Sequence, residues 1–343
     1  MKRMLKTILG KRLWRLAQRW REKADWTVSR EARRCFLRDC GRLLEHSSAL
    51  GADTRGKALA RLILFYHVAE KNWTMPDRRM GFGRDAVLNL MEQIEAFEDE
   101  YGKEEPQALH AVGVVRAYWE LHEGWEGKSG DETFWAQVGD FVRRHGGVPA
   151  ARQWHGTREE FFAARERPFP EFARSRHSVR TYGPEPVPEE RIRAAVELAT
   201  TAPSACNRQY ARVHCVGGKK RIERILALQN GNRGFGHLAD KLLLVTVDLE
   251  GIFGAHERND LFTNGGMFLM NLSYALHWQG IAHCILNWST SPENDEALRK
   301  ELPMRESETT VALLTCGMPP AEFGVAASPR KSVSDVFVDH GAS

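Results

Sequence analysis

The sequence predicts an all-helical half followed by a half in which strands and helices share α/β or α+β layers, and three observations carry that prediction. From residue 27 to about 165, apolar side chains recur at three-to-four spacing, segment after segment. Beyond Pro168, short apolar runs such as Leu242 to Val247 alternate with helical stretches, which calls for a sheet with helices packed on it. Eight of the ten tryptophans precede residue 170, so the helical half buries a serious core of its own.

The elements follow in order. Thr27 and Ser29 sit where an N-cap would open a helix that Gly51 stops near Leu50. A second helix runs from Asp53 through Leu62, Phe65, Tyr66 and Ala69. Gly81-Phe82-Gly83 then breaks the chain before a third helix, Asp85 to Tyr101, whose solvated face carries the acidic run from Glu92 to Glu105. Two more helices are expected near 105–122 and 130–145. Around Arg167-Pro168-Phe169-Pro170 the texture changes, and closely spaced prolines mark a boundary. After it come a helix from Pro188 to Ala202, a strand from Val213 to Val216, the strand Leu242 to Val247, and a long helix from Asn259 to Gln279. A strand near Ile281 to Leu286, a helix near 293–301 and a strand from Thr310 to Cys316 complete the list. The expected domains are a basic amphipathic helix (1–26), a helical domain (27–167) and a sheet domain (168–343).

Composition narrows the class. In 343 residues, 42% hydrophobic, 27% charged and 9% aromatic side chains are globular proportions, which exclude disorder, collagen and a disulfide-stapled mini-protein. The net charge of +4 hides an asymmetry. Residues 1–23 carry nine basic side chains against Glu22 alone, so they hold +8 and the remaining 320 residues −4. The basicity belongs to a tip and argues against a nucleic-acid-binding body. In that tip Met1, Leu5, Leu9, Leu13, Leu16 and Trp20 line one helical side, suited to docking on its own protein or a partner subunit or, as the alternative, to an anionic membrane surface. No membrane-spanning run or secretory signal is recognisable. Six scattered cysteines without a CxxC pair fit a cytoplasmic compartment, peripheral to the membrane's inner face if the tip binds it. No zinc spacing appears, and no metal is expected.

Three segments of the second half carry polar residues that a plain fold does not need. Ser175-Arg176-His177-Ser178-Val179-Arg180 concentrates cations and a hydroxyl, suited to a phosphate and an electron-rich ring edge. Ala202-Pro203-Ser204-Ala205-Cys206-Asn207-Arg208-Gln209 ends a helix and presents two amides. Cys316-Gly317-Met318-Pro319, with Arg330-Lys331 further on, is a strand leaving the sheet and turning back with cations. Each alone also reads as a surface cluster, a helix end or a turn.

In this order and at this separation the segments resemble the nitroreductase-like flavoproteins, which bind FMN, over about Phe172 to Val338. Asn264-Gly265-Gly266 with Gly280-Ile281 resembles the family's central dimer helix and the glycine after it. The resemblance implies an α+β fold with a mixed central sheet flanked by helices, here preceded by an all-α domain. It implies that Arg176, His177 and Ser178 meet the FMN phosphate and ribityl chain, that Arg180 lies near the pyrimidine edge, and that Arg330 closes on the phosphate. It places Pro203, Ser204, Ala205 and Asn207 against the flavin of a second subunit, hence a homodimer with flavin at the subunit interface. Ile285-Leu286-Asn287-Trp288 would run past flavin N5, so Leu286 and Asn287 join the expected cofactor-binding set. The sequence departs from the family at Asn287, where many members carry an acid, at Tyr210 and at Met318. Arg233, within Gly231-Asn232-Arg233-Gly234, is a candidate second cation near the ring. His67 to Trp73, followed by Arg79 to Gly83, is similar to a segment preceding the flavin domain in members associated with bacterial surface-polysaccharide genes; it also reads as an ordinary helix exit.

The implied activity is ping-pong hydride transfer from NADH or NADPH through flavin N5 to a small organic acceptor, such as a nitroaromatic, quinone, enone or biosynthetic intermediate, with no side-chain nucleophile. The helical half would cap the site or widen the dimer. Two alternatives are a flavin-fold binding or assembly module at a membrane surface, and a flavoenzyme that does not accept nicotinamide. No Gly-x-Ser-x-Gly elbow is present, and Cys206 reads as a small apolar residue.

Overall fold

The computed structural model describes residues 26–41, 44, 51–76, 79–252 and 254–341. The basic helix expected at the N-terminus therefore lies outside the described residues up to residue 25, as does the stretch 45–50 that was to end the next helix. That helix, α1, is observed over residues 26–41.

α2 (Arg55–Trp73) opens on Thr54, whose side chain accepts from the Lys57 N–H at 3.3 Å. Leu59, Leu62, Tyr66, Ala69 and Trp73 bury one face of it. α3 (Arg84–Tyr101) buries Val87, Leu90, Ile94 and Phe97 against α2. Between them Gly81 is required twice over: its φ is +72°, and a Cβ there would meet the Trp125 ring at 2.5 Å. α4 (Pro106–Leu121), with proline in its first turn, and α5 (Glu132–Arg144), capped by Asp131, complete the bundle. Tyr118 stacks on Trp135 at 5.6 Å between centroids, so the tryptophan-rich half does build its own core.

The second half is organised by a four-stranded sheet in the order β2 (Ala211–Val216), β3 (Lys241–Asp248), β5 (Glu308–Gly317), β4 (Ala282–Asn287). Residues of β3 alternate between two cores: Leu242 and Leu244 enter one, Leu243 and Val245 the other. Helix α9 (Lys219–Leu226) buries Ile222, Ile225 and Leu226 on the first face, and helices α8 (Glu189–Ala199) and α10 (Asp260–Trp278) cover the second and pack on each other. α10 carries Gly265 because a Cβ there would lie 2.7 Å from Val311 of β5, and it ends on Gly280 at φ +71°, with Ile281 N–H bonding back to the Leu276 carbonyl.

The α+β architecture is as expected, but the sheet was expected to be mixed, and all three of its pairings are antiparallel. The reason is topological. The α10 crossover returns β4 parallel to β3 one strand away, and β5 enters the gap antiparallel to both. Trp154–Thr157 (β1) pairs with Glu322–Val325 (β6), and Phe161 and Phe162 of α6 (Arg158–Phe162) join the sheet's core. These residues precede Pro168 in the chain but pack with the C-terminal unit, because their aromatic faces are covered by Phe323 and by His277 of α10. No described helix is long and apolar enough to cross a membrane.

Candidate functional site

A cavity of about 320 Å³ opens where the middle of α2, the loop after α7 (Phe169–Ser175), β4 and the C-terminal loop meet. Its walls bring together Arg176, His177, Ser178, Arg180 and Arg330, five of the residues expected to hold the cofactor. Ile63, Tyr66 and His67 from the helical half, Ile285 of β4, and Ala326, Ser328 and Pro329 complete it.

The cationic loop is held from beneath by neutral imidazoles and one tyrosine. Ser175 Oγ lies 2.8 Å from His277 Nε2, and the Val179 N–H donates to the His283 carbonyl at 3.0 Å. His283 Nε2 in turn meets Ser273 Oγ at 2.8 Å. Burial pushes His277 down to about 3 and His283 down to about 4, so both stand uncharged beneath the cations. Tyr182 is buried with its hydroxyl 2.8 Å from the Val179 carbonyl and 2.9 Å from Thr315 Oγ1. Gly317 is obligatory here, since a Cβ would strike the Tyr182 ring at 2.6 Å.

Above this platform the charge is one-sided. Among the described residues no carboxylate pairs with Arg176, Arg180, Arg330 or Lys71. Arg180 is buried, and its Nε has no hydrogen-bond partner. Burial and the neighbouring Arg330 guanidinium lower Arg176, while burial, Arg176 and Arg330 lower His177. Burial and Arg180 likewise lower Lys71, one turn beyond His67 on α2. Uncompensated buried cations are costly, and an anion with several acceptor oxygens relieves them. A phosphate with an electron-rich ring edge fits this donor set.

The other expected residues lie elsewhere. Pro203 and Ser204 line a separate recess of about 90 Å³ beside Tyr210, Asn264 and Phe268. The Ala205 N–H donates to Asn264 Oδ1 at 2.7 Å, and Asn207 is exposed. Cys206 and Asn207 both take left-handed backbone, at φ 52° and 55°, a local strain of about 1–2 kcal/mol per residue. At β4 the cavity takes Ile285. Strand alternation turns Leu286 into the opposite core, and Asn287 accepts from Gln229 Nε2 through its carbonyl at 3.1 Å. Arg233 lines a third recess with Gln229 and His237, away from the cationic cavity.

Sequence reasoning expected the helical half to cap the site or widen the dimer, but did not name the side chains it brings to the cavity. Ile63, Tyr66 and His67 share one face of α2 at i, i+3 and i+4, a spacing indistinguishable in the sequence from ordinary core packing. Thr181 Oγ1 donates to the Thr74 carbonyl at 3.3 Å, which ties the end of α2 to the cationic loop.

Residues 173–233 match the nitroreductase family. No curated protein matches the chain. Among solved structures, a Desulfovibrio desulfuricans protein described as a nitroreductase in complex with FMN is 21% identical at a TM-score of 0.42, covering 52% of this chain and 99% of its own. A Staphylococcus epidermidis protein described as an NAD(P)H:FMN oxidoreductase is 16% identical at 0.45, covering 50% and 96%. A nitroreductase family protein of Streptococcus pneumoniae is 21% identical at 0.43, covering 50% and 100%.

Proposed function

We propose that this chain, whose residues 173–233 match the nitroreductase family, is an FMN-dependent oxidoreductase that takes electrons from NADH or NADPH and passes them to a small organic acceptor. The observation that carries the proposal is the convergence of Arg176, Arg180 and Arg330 on one cavity with no carboxylate among the described residues to neutralise them. Arg176, Ser178 and Arg330 would hold the phosphate, and His177 the ribityl chain. Arg180, buried with a free Nε, would donate to the pyrimidine edge and favour negative charge there. When bound, FMN supplies the hydride chemistry, so no side chain of this protein needs to act as nucleophile. The protein's part is to orient the ring, exclude water behind Tyr66 and Ile285, and set the surrounding charge.

The exposed loop 203–209 would reach the flavin of a second copy. Phe262, Met267, Met270 and Trp278 stand exposed along α10, an apolar stripe that a homodimer would cover. Light scattering of the purified chain is expected to give twice the 39.0 kDa chain mass.

The activity is tested by the absorbance of the purified full chain. A flavin band that bleaches anaerobically on adding NADH or NADPH supports the reading. A colourless protein that FMN cannot reconstitute leaves a binding or assembly module, and a band that persists leaves a flavoenzyme with a different donor.

A further inference from the structure

Glu70 of α2 is fully buried in the helical half, and its two oxygens are unequally satisfied. Oε1 lies 2.6 Å from His110 Nε2, whereas Oε2 makes no hydrogen bond and faces His67 Nδ1 at 3.6 Å. Burial alone would push this carboxyl up, but its contacts with His110 and His67 win and lower it, so a charged group sits behind the pocket-lining imidazole. His67 lines the same cavity as Arg176 and Arg330. With Nδ1 facing Glu70, Nε2 is the ring nitrogen left for a ligand. Tyr66 packs edge-on against His110 at 5.0 Å, which fixes the helix face on which His67 stands.

We propose that His67 is a phosphate-binding residue contributed to the flavin site by the helical half, and that Glu70 is the positioning residue that holds its ring. The inference rests on the FMN reading and adds a ligand to it. With the Glu70 carboxylate on its Nδ1 side, the ring would give the phosphate one hydrogen bond from Nε2. The helical half would then be part of the cofactor site as well as its cover.

The test titrates the full chain with FMN and with riboflavin, which lacks the phosphate, following quenching of flavin fluorescence. His67→Ala and the shape-conserving His67→Gln are expected to weaken FMN about tenfold, equivalent to about 1.4 kcal/mol, while leaving riboflavin unchanged. His67→Lys is expected to restore the FMN preference. Glu70→Gln should weaken FMN about threefold, also without moving riboflavin, as suits a group acting through the ring it positions. Equal losses for both flavins in the His67 variants would make His67 a mere wall, and no loss for either would remove it from the site; each result overturns the proposal. A parent chain that binds neither flavin fails before any variant is made, and that result overturns the oxidoreductase reading and this inference together.

Discussion

Two polar loops of the sheet half, 175–182 and 203–209, look alike in the sequence and are built in opposite ways. The first lies on a platform: Ser175, Val179 and Tyr182 are each anchored to α10, β4 or β5, and its cations line the cavity. The second is exposed, takes left-handed backbone at Cys206, Asn207 and Gln209, and holds its shape by local bonds such as Gln209 N–H to Ser204 Oγ at 3.0 Å. Outside the loop it is tied at two points, by Arg208 to Glu257 and the Gly251 carbonyl, each at 2.7 Å, and by the Ala205 N–H to Asn264 Oδ1. The first loop is thus shaped by the sheet and helix beneath it, whereas the second keeps left-handed backbone at three residues with mostly local support.

The sharpest way to break this comparison is to remove charge from the first loop's cavity. Arg176→Ala combined with Arg330→Ala is expected to weaken FMN roughly 10²–10⁴-fold, taking about 1.5–3 kcal/mol for each lost bond to a charged group. Fluorescence titration reads the result, and full retention of binding would show that the cavity is not the phosphate site.

Acid should act on the platform next. His277 and His283 are held far below the ordinary imidazole value of about 6.5 by burial. Between that value and their native values the unfolded chain takes up protons that the native chain does not. Stability is therefore full above about pH 6.5 and falls as pH drops toward 4, by roughly 1.4 kcal/mol per unit for each imidazole. Urea midpoints between pH 7 and 4.5 check the slope, and His283→Asn should reduce it.

Packing changes come third. Gly317→Ala drives a Cβ into the Tyr182 ring and is expected to cost about 1–3 kcal/mol in urea unfolding. Tyr182→Phe leaves the Thr315 hydroxyl without its partner at 2.9 Å and should cost about 1–3 kcal/mol. The smallest effect belongs to the second loop. Cys206→Gly relieves a left-handed backbone and should raise stability by at most about 1 kcal/mol.

The cationic loop was legible because its charges are adjacent in the chain, and strand or helix context changes little about a run like Arg176 to Arg180. Arg330 was legible only through its order after the closing strand. What stayed hidden depended on phase and distance. Ile285 and Leu286 differ by one position, and only the observed strand register decides which one faces the cavity. Tyr66 and His67 lie more than 100 residues before the loop they oppose, on a helix whose burial pattern looks like plain core. The four-residue pairing of Trp154–Thr157 with Glu322–Val325 has no turn to announce it, and the insertion of β5 between β3 and β4 is a choice the helix-strand alternation does not reveal.

A phosphate-binding cavity is tested most directly by one ratio, the dissociation constant of the unaltered full chain for riboflavin divided by that for FMN. Unpaired Arg176 and Arg330 around a cavity without carboxylates predict a ratio of about 100 or more, since the phosphate alone engages them. A ratio near one, with both flavins bound, would contradict the claim that this cavity is built for the phosphate.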